Sequence, residues 1–431
     1  MCQLRAKGGP PTQGSGASAA SGSGSAGGIG ELFREHGEAY IKSYQPDLRT
    51  IKLIRAIRVC RTAALGGHRL TCPDCGAVKY RYFSCGHSHC PLCQGNKRKA
   101  WYERVEDRLL TVPYCHITFT LPHELNGICR LHPRALYGML FRGAWQTIKE
   151  LCANKNRVGG LPGMTGVLHT WGSDLKHHVH VHCLVTFGGL DEGRGRWCWP
   201  RTKDKLLGHR VLRNTFRRIF LDFLEKWMQE QGRAVYHHSF GVLTAGLYTK
   251  SWVVNQQPPT MNAELINAYL SRYICRIGIS DQRLQYDAAT QRVSLSYKDY
   301  RRQKAGQAAP IAVLDLPPLV AMHKLLQHVL PPNFHRTRSY GLHAPSTRKR
   351  LKGQLEKHVK AAPDTVLVLI RLLKAFLQIK LGPGCEQCGS HAPPTVTLVV
   401  PDRHFIIPWL TVGPRAPPGG SSLEAPQPKA A

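Results

Sequence analysis

The stretch that decides the fold is HVHVHCLVTF, residues 178–187, whose first five residues place a histidine at every second position. Alternate residues of a β-strand leave the same face, so His178, His180 and His182 are expected on one side of it. The residues between them are apolar and suit a buried opposite face. Same-face neighbours lie about 7 Å apart, a span that two imidazoles can bridge through one cation at about 2.1 Å. The pattern predicts a metal-binding strand; the alternative is a half-exposed face merely lined by histidines.

The segments around this strand carry both strand and helix patterns. A further strand is predicted for CHITFTL, 115–121, where apolar residues alternate with threonine until Pro122 ends it. Apolar residues recur at helical spacing in several other segments, so the chain is expected to mix helices with strands. Helices are predicted at 31–59, 97–110, 134–153, 205–232, 260–277 and 363–380.

The composition points to nucleic acid as the partner. Lys and Arg number 59 against 27 Asp and Glu, a net charge of +32, which attracts polyanions. The alternative is a solvated basic surface without chemistry. No stretch approaches the roughly 18–20 apolar residues needed to span a bilayer, and the N-terminus lacks the apolar core of a secretory signal. We therefore expect a cytoplasmic, DNA-associated protein without membrane contact, in which cysteines bind metal rather than form disulfides.

Cysteine and histidine are concentrated between residues 60 and 93. Two pairs, Cys72-x2-Cys75 and Cys90-x2-Cys93, lie 14 residues apart and predict one tetrahedral zinc site between them. Four protein ligands leave no open position, so such zinc is structural. The pair Cys385-x2-Cys388 has no visible partners and is assigned no role. His87 competes with one member of a second possible ligand set, which consists of Cys60, His68, Cys85 and His89.

The predicted helix at 260–277 carries two tyrosines four residues apart. Tyr269 and Tyr273 share one helical face, and Arg272 and Arg276 form a similar pair on an adjoining face. A tyrosine with a pKa near 10 is a poor nucleophile until cations favour its phenolate. Beside arginines and a metal-polarised phosphate, it can attack phosphorus and form a covalent ester. The alternative is that both tyrosines only pack in a core or groove.

The cysteine-rich segment, the histidine-rich strand and the two-tyrosine helix follow one another along the chain, and together they resemble a known family. The sequence is similar to the HUH-type transposases of insertion sequences that move by rolling-circle replication, the two-tyrosine group of the insertion-sequence-91 type. The resemblance covers roughly residues 31–350. The matching segments are 60–69 with the two Cys-x2-Cys pairs that follow, 119–125, 168–172, 178–183, 269–273, 297–299, 327–331 and 340–342.

The resemblance implies an α+β fold: an HUH nuclease core with a central antiparallel sheet flanked by helices, plus an N-terminal zinc-binding domain. The His-x-His motif would lie on a central strand, with the tyrosine helix packed against the sheet. His180 and His182 correspond to the ligands of a catalytic Mg²⁺ or Mn²⁺. HUH nucleases commonly use a third polar ligand, for which Asp174 and His178 are both candidates.

The resemblance also implies roles for the tyrosines and the cysteine cluster. Tyr269 and Tyr273 correspond to nucleophiles that cut single-stranded DNA at element ends, leaving a 5′-phosphotyrosine and a free 3′-OH. The ester stores the bond energy, so joining strands needs no ATP. One or two structural zincs are implied at Cys60, His68, Cys72, Cys75, Cys85, His89, Cys90 and Cys93.

We predict five segments and keep three rival functions. The rivals are a plasmid replication initiator or relaxase with the same chemistry, a non-catalytic zinc-dependent DNA-binding protein derived from a transposase, and a zinc hydrolase of small molecules. The oligomeric state is left open. The segments are a disordered leader at 1–30, a zinc-binding domain at 31–112, a nuclease domain at 113–305, a basic helical segment at 306–381 and a loose Pro-rich tail at 382–431.

Overall fold

The computed structural model describes most of the chain between residues 27 and 400. Among the described residues, no helix is long and apolar enough to cross a membrane. The described residues are 27–93, 95–106, 109–231, 237–262, 266, 279, 282–304, 306–356, 385–390, 392 and 394–400.

Helices and antiparallel strands are both prominent in this part of the chain. The helices are α1 (Ile29–Tyr44), α2 (Leu48–Val59), α3 (Gly95–Glu106), α4 (Asn126–Leu131), α5 (Pro133–Ala153), α6 (His209–Glu230), α7 (His237–Thr249), α8 (Pro318–Leu326), α9 (Pro345–Arg350) and α10 (Lys352–Leu355). The strands are β1 (Gly67–Thr71), β2 (Val78–Tyr82), β3 (Tyr114–Thr120), β4 (Gly163–Trp171), β5 (His177–Thr186), β6 (Gly189–Asp191), β7 (Arg196–Cys198), β8 (Val253–Gln256), β9 (Leu284–Asp287), β10 (Arg292–Lys298), β11 (Ile311–Leu316), β12 (Thr337–Gly341) and β13 (Thr395–Val399).

A five-stranded antiparallel sheet forms the centre of the fold. Its strand order is β12-β4-β5-β3-β8, so the histidine-rich strand β5 lies in the middle. The strand predicted at 115–121 is β3, and it pairs directly with β5. The α+β class with a central antiparallel sheet is therefore confirmed.

One face of this sheet is covered by helices α5 and α6. Val181 and Cys183 of β5 belong to a core cluster that also contains Phe141 of α5 and Phe216 of α6. The apolar alternation of β5 drives this packing, because every second side chain must leave water on that face. Gly166 of β4 allows α5 to approach closely, since a Cβ there would lie 3.0 Å from the Phe141 ring. The opposite face carries the histidines together with a smaller apolar cluster that includes Val167 and Leu184.

A second core joins the N-terminal helices to later parts of the chain. Phe33 of α1 and Ile57 of α2 pack with Tyr286 of β9, Leu295 of β10 and Met322 of α8. Strands β9, β10 and β11 form a separate three-stranded sheet beneath these helices. The segment at 31–59, predicted as one helical stretch, is thus part of a core shared with residues near 284–326.

That helical stretch is divided in two at Pro46. Proline lacks the backbone N–H that a helix interior needs, and it disfavours helical geometry in the residue before it. Gln45 accordingly adopts a left-handed φ of 45° at the end of α1. Asp47 then caps α2, accepting a hydrogen bond from the Thr50 N–H at 2.8 Å. The break turns one amphipathic stretch into a helical hairpin.

A third sheet connects the two ends of the described chain. Its strand order is β13-β1-β2, and β13 pairs with β1 over five residues, from Thr395 opposite Thr71 to Val399 opposite Gly67. The tail that was expected to be loose from residue 382 therefore contributes a strand to the N-terminal module. The Pro-rich composition did not reveal this strand, because its pairing partner lies more than 300 residues away.

Candidate functional site

Three imidazoles converge on the open face of the central sheet. His180 and His182 project from β5, and His169 projects from the neighbouring strand β4, directly opposite His180. Their candidate ligand nitrogens all lie within 4.8 Å of one another. The ring centroids of His169 and His182 are 4.3 Å apart, and those of His180 and His182 are 4.8 Å apart. The shared face predicted for the β5 histidines is thus present, and a third ring completes a cluster.

Hydrogen bonds orient the two β5 rings. Nδ1 of His180 lies 2.9 Å from the carbonyl oxygen of His178. A carbonyl can only accept, so Nδ1 carries the proton and Nε2 keeps its lone pair for a cation. Nδ1 of His182 lies 2.8 Å from Nε2 of His116 and 3.1 Å from the Thr118 hydroxyl, both on β3. Each ring is thereby held through one nitrogen.

Burial keeps these imidazoles neutral. Desolvation lowers the pKa of His180 to about 3 and that of His116 to about 4. Desolvation, reinforced by neighbouring imidazoles, also lowers the pKa values of His169 and His182 well below the ordinary value. Metal ions bind the neutral form of histidine. The cluster therefore presents metal ligands in their binding state at neutral pH.

The third member of the cluster differs from the candidates named from the sequence. Asp174 is engaged elsewhere, with its carboxylate 3.2 Å from the Lys176 ammonium. His178 is exposed at the edge of the same face, its ring centroid 5.0 Å from that of His180. His169 occupies the position instead, because β4 pairs with β5 in the register that sets it beside His180. The only sequence signal for it was a histidine within the family-like segment 168–172.

The cluster lies in a large cleft rich in cations and aromatic rings. The cleft has a volume of about 1560 Å³, and β3, β5 and β8 contribute to its floor. Cationic side chains attract phosphates, and exposed aromatic rings offer stacking surfaces to unpaired bases. Its basic and larger aromatic lining residues are Arg130, Lys176, Arg283, Lys298, Arg301, Lys324, Tyr44, Trp171, Tyr297 and Tyr300.

The two predicted nucleophiles, Tyr269 and Tyr273, lie outside the described residues. Ile266, three residues before Tyr269, is described: it is 3% exposed and packs with Val167 and Leu184 on the histidine face of the sheet. Ile266 also lines the cleft. In the helix predicted from the sequence, the tyrosines would follow at i+3 and i+7, on the face that Ile266 occupies. Their position beside the cluster stays a prediction.

Four cysteines form a buried cluster in the N-terminal module. Sγ of Cys85 and Sγ of Cys93 are 3.8 Å apart, and the Cys85 N–H donates to Sγ of Cys60 at 3.5 Å. Cys90 completes the group, whose sulfurs all lie within 4.8 Å of one another. Tetrahedral zinc with Zn–S bonds of about 2.3 Å requires sulfurs about 3.8 Å apart. The four thiols fit structural zinc.

The two Cys-x2-Cys pairs at 72–75 and 90–93 do not share a site, contrary to the pairing expected from the sequence. Cys72 and Cys75 lie instead with Cys385 and Cys388, the pair that was assigned no role. Spacing along the chain favoured neighbouring pairs, but the β1–β2 hairpin separates the first pair from the second. Cys385 and Cys388, some 310 residues later in the chain, complete the cluster around Cys72 and Cys75.

The two histidines assigned to the zinc module belong to neither cysteine cluster. His89 is buried, and its Nε2 accepts a hydrogen bond from the Leu330 N–H at 3.2 Å. Burial, aided by the charges of Arg336 and Arg49, lowers its pKa to about 3, so it is neutral. The ring of His68 contacts Phe83 edge-on, with centroids 5.1 Å apart. Both therefore serve packing, because cysteines from elsewhere complete the clusters.

Comparison with known proteins divides the chain into two matching segments. Residues 32–121 match a family described as a transposase zinc-binding domain, and residues 163–351 match one described as a putative transposase. The chain is 35% identical over 326 residues to the putative transposase y4qJ of Sinorhizobium fredii, covering 73% of this chain and 79% of that protein. It is 28% identical over 358 residues to the transposase for insertion sequence element IS801 of Pseudomonas savastanoi, covering 79% of this chain and 82% of that protein. No solved structure matches it.

The buried cysteine cluster generates a first prediction. Cys90→Ser should remove one zinc and lower the free energy of unfolding by about 3 kcal/mol or more, because zinc binding and folding are coupled. Mass spectrometry measures the zinc content, and a denaturant titration measures the free energy of unfolding. Cys129→Ser is the control, since Cys129 is equally buried but lies in neither cluster, and it should keep full zinc content. Unchanged zinc in Cys90→Ser would contradict the assignment.

Proposed function

The chain belongs to the transposases of the insertion-sequence-91 type, and from this premise we propose that it nicks single-stranded DNA at the ends of its element through a 5′-phosphotyrosine and joins strands in rolling-circle transposition. The observation that carries the proposal is the convergence of His169, His180 and His182 on the floor of a basic cleft. The cluster lies where a polyanion would enter.

The three imidazoles would hold a divalent cation, Mg²⁺ or Mn²⁺. Their nitrogens lie within 4.8 Å of one another, and burial keeps them neutral, so the donor set fits a cation. When bound, the cation polarises the scissile phosphate and offsets the charge that builds on its oxygens. His116 and Thr118 act behind the cluster by orienting His182 through Nδ1.

The tyrosines would perform the covalent step. The phenol of Tyr269 or Tyr273 gives up its proton, and its oxygen forms a bond to phosphorus. The bond between phosphorus and the 3′ oxygen breaks, and that oxygen takes up a proton to leave a 3′-OH. Arg272 and Arg276, which the sequence places on an adjoining helical face, would favour the phenolate. Attack of another 3′-OH on the phosphotyrosine reverses these bonds and joins strands.

The cleft walls would hold the single strand. Arg283 is fixed between two backbone carbonyls, donating to that of Ser296 at 3.0 Å and to that of Ser173. These hydrogen bonds hold its guanidinium in one orientation at the cleft. Tyr297 and Tyr300 line the same wall and offer rings on which unpaired bases can stack. This combination favours a strand whose bases are exposed over a closed duplex.

The cluster generates a prediction with an internal control. His169→Ala, His180→Ala and His182→Ala should each reduce nicking of a single-stranded element-end oligonucleotide on the order of 10²-fold or more, because each removes a cation ligand. DNA binding should change little, since affinity comes mainly from phosphate contacts. His178→Ala, on the same strand face but outside the cluster, should retain most activity. Full nicking by the His169→Ala variant would remove that residue from the proposed ligand set.

The ligand type predicts which cation works best. Imidazole nitrogens suit Mn²⁺ better than Mg²⁺, which prefers oxygen ligands and sheds water reluctantly. Nicking should therefore reach half-maximal rate at a lower concentration of Mn²⁺ than of Mg²⁺. His169→Asp replaces one nitrogen by a carboxylate and should shift the preference towards Mg²⁺. An unchanged ratio in that variant, with activity retained, would show that residue 169 does not contact the cation.

The tyrosines are tested by trapping the covalent product. Tyr269→Phe and Tyr273→Phe should each bind DNA like the wild type, and at least one should still form an adduct with labelled single-stranded DNA. The double variant should form none, because no phenol oxygen remains to attack. Denaturing gels with Mn²⁺ measure the adduct. An adduct in the double variant, mapped by mass spectrometry to another residue, would place the nucleophile elsewhere. Absence of any adduct with wild-type protein would favour the non-catalytic DNA-binding alternative.

A further inference from the structure

Two matching turns from opposite ends of the chain face each other beside the small sheet β13-β1-β2. Residues 72–76 read CPDCG and residues 385–389 read CEQCG. Gly76 has φ +72° and Gly389 has φ +73°, the left-handed geometry that favours glycine. In each turn the glycine N–H donates to the carbonyl of the first cysteine, at 3.0 Å and 2.7 Å respectively. The two turns are the same structural unit used twice.

The four sulfurs of these turns are spaced for a metal. Sγ of Cys72 lies 3.8 Å from Sγ of Cys388, and Sγ of Cys75 lies 3.6 Å from Sγ of Cys385. These separations match the edge of a tetrahedral zinc–thiolate site, about 3.8 Å. They exceed the roughly 2.0 Å of a disulfide bond, so the pairs are not cross-linked. Four thiolates leave no position for water or substrate.

Within the part of the chain that the structure describes, few other contacts hold the C-terminal strand in place. The side chains of Val396 and Leu398 in β13 are 58% and 62% exposed, so the strand buries little apolar surface. Beside its backbone pairing with β1, the segment makes an ion pair between Glu386 and Lys79, and the Ser390 hydroxyl donates a hydrogen bond to the Asp74 carboxylate. Exposed ion pairs contribute little, and an edge strand without a buried face is marginal. A strong local tie is needed for this arrangement to persist.

We propose that a second zinc, bound by Cys72, Cys75, Cys385 and Cys388, clasps the C-terminal segment to the N-terminal module. The clasp closes a loop of about 310 residues that contains the whole central sheet. Closing so long a loop is costly in an unfolded chain and cheap once the intervening body brings its ends together. Zinc therefore binds this site tightly only in the folded chain. The site is separate from the histidine cluster and from the buried cysteine cluster.

Zinc stoichiometry is the first test. All zinc measurements use a parent protein that carries His180→Ala/His182→Ala, because the imidazole cluster can also take up zinc. This parent protein, purified with zinc, should hold two ions per chain by native mass spectrometry, and the same protein with Cys385→Ser/Cys388→Ser should hold one. The single variant Cys388→His keeps four ligand atoms at this site and should still hold two. Cys198→Ser, a cysteine outside both clusters, should also hold two. A single zinc in the parent protein, or two in the double-serine variant, would overturn the proposal.

Zinc release and amide exchange provide tests that do not depend on nicking. Cys75 and Cys388 are exposed whereas Cys60 and Cys90 are buried, so a chelator should remove zinc in a fast and a slow phase. The double-serine variant should lack the fast phase. Its amides at 395–399 should exchange at least about tenfold faster than in the wild type, while those of the central sheet stay protected. Equal exchange at 395–399 in both proteins would mean that zinc does not hold the strand.

Discussion

The register between β4 and β5 is the constraint on which the site depends. It sets His169 opposite His180 and Val167 opposite His182, so that imidazoles from two strands meet on one face. Directly opposed residues of an antiparallel pair have Cβ atoms about 5 Å apart, within reach of a shared cation. A slip of one residue would send both β5 histidines into the helix-covered core and bring valines to the cleft. Packing of α5 and α6 on the apolar face prevents that slip.

The site combines buried, neutral imidazoles with cationic side chains along the walls of the cleft. Protonated imidazoles would repel a cation, and burial prevents this by lowering their pKa values. The cationic side chains stand around the cleft, where water still solvates them and phosphates can reach them. The floor of the cleft thus offers neutral ligands that would suit a cation, and its walls offer charges that would suit a polyanion.

The zinc module supports the site through a shared core. Cys60, Cys90 and Cys93 belong to the same apolar cluster as Trp171, which ends β4. The Trp171 ring stacks on His169, with centroids 5.1 Å apart and planes 13° apart. The N-terminal module therefore contributes to the packing that positions the third imidazole. The buried cysteine cluster thus helps to position the histidine cluster without belonging to it.

Local periodicity in the sequence determined the β5 strand, the common face of His180 and His182 and the mixed helix–strand class, because side-chain direction repeats every two residues in a strand. The order of the motifs identified the family. Only the tertiary structure decided which distant groups complete each site: His169 reaches the cluster through strand pairing, and Cys385 and Cys388 reach Cys72 and Cys75 across some 310 residues. Such partners are determined by the tertiary path of the chain, and the spacing of residues along the sequence does not indicate that path. The roles of Tyr269 and Tyr273 remain predictions of the sequence.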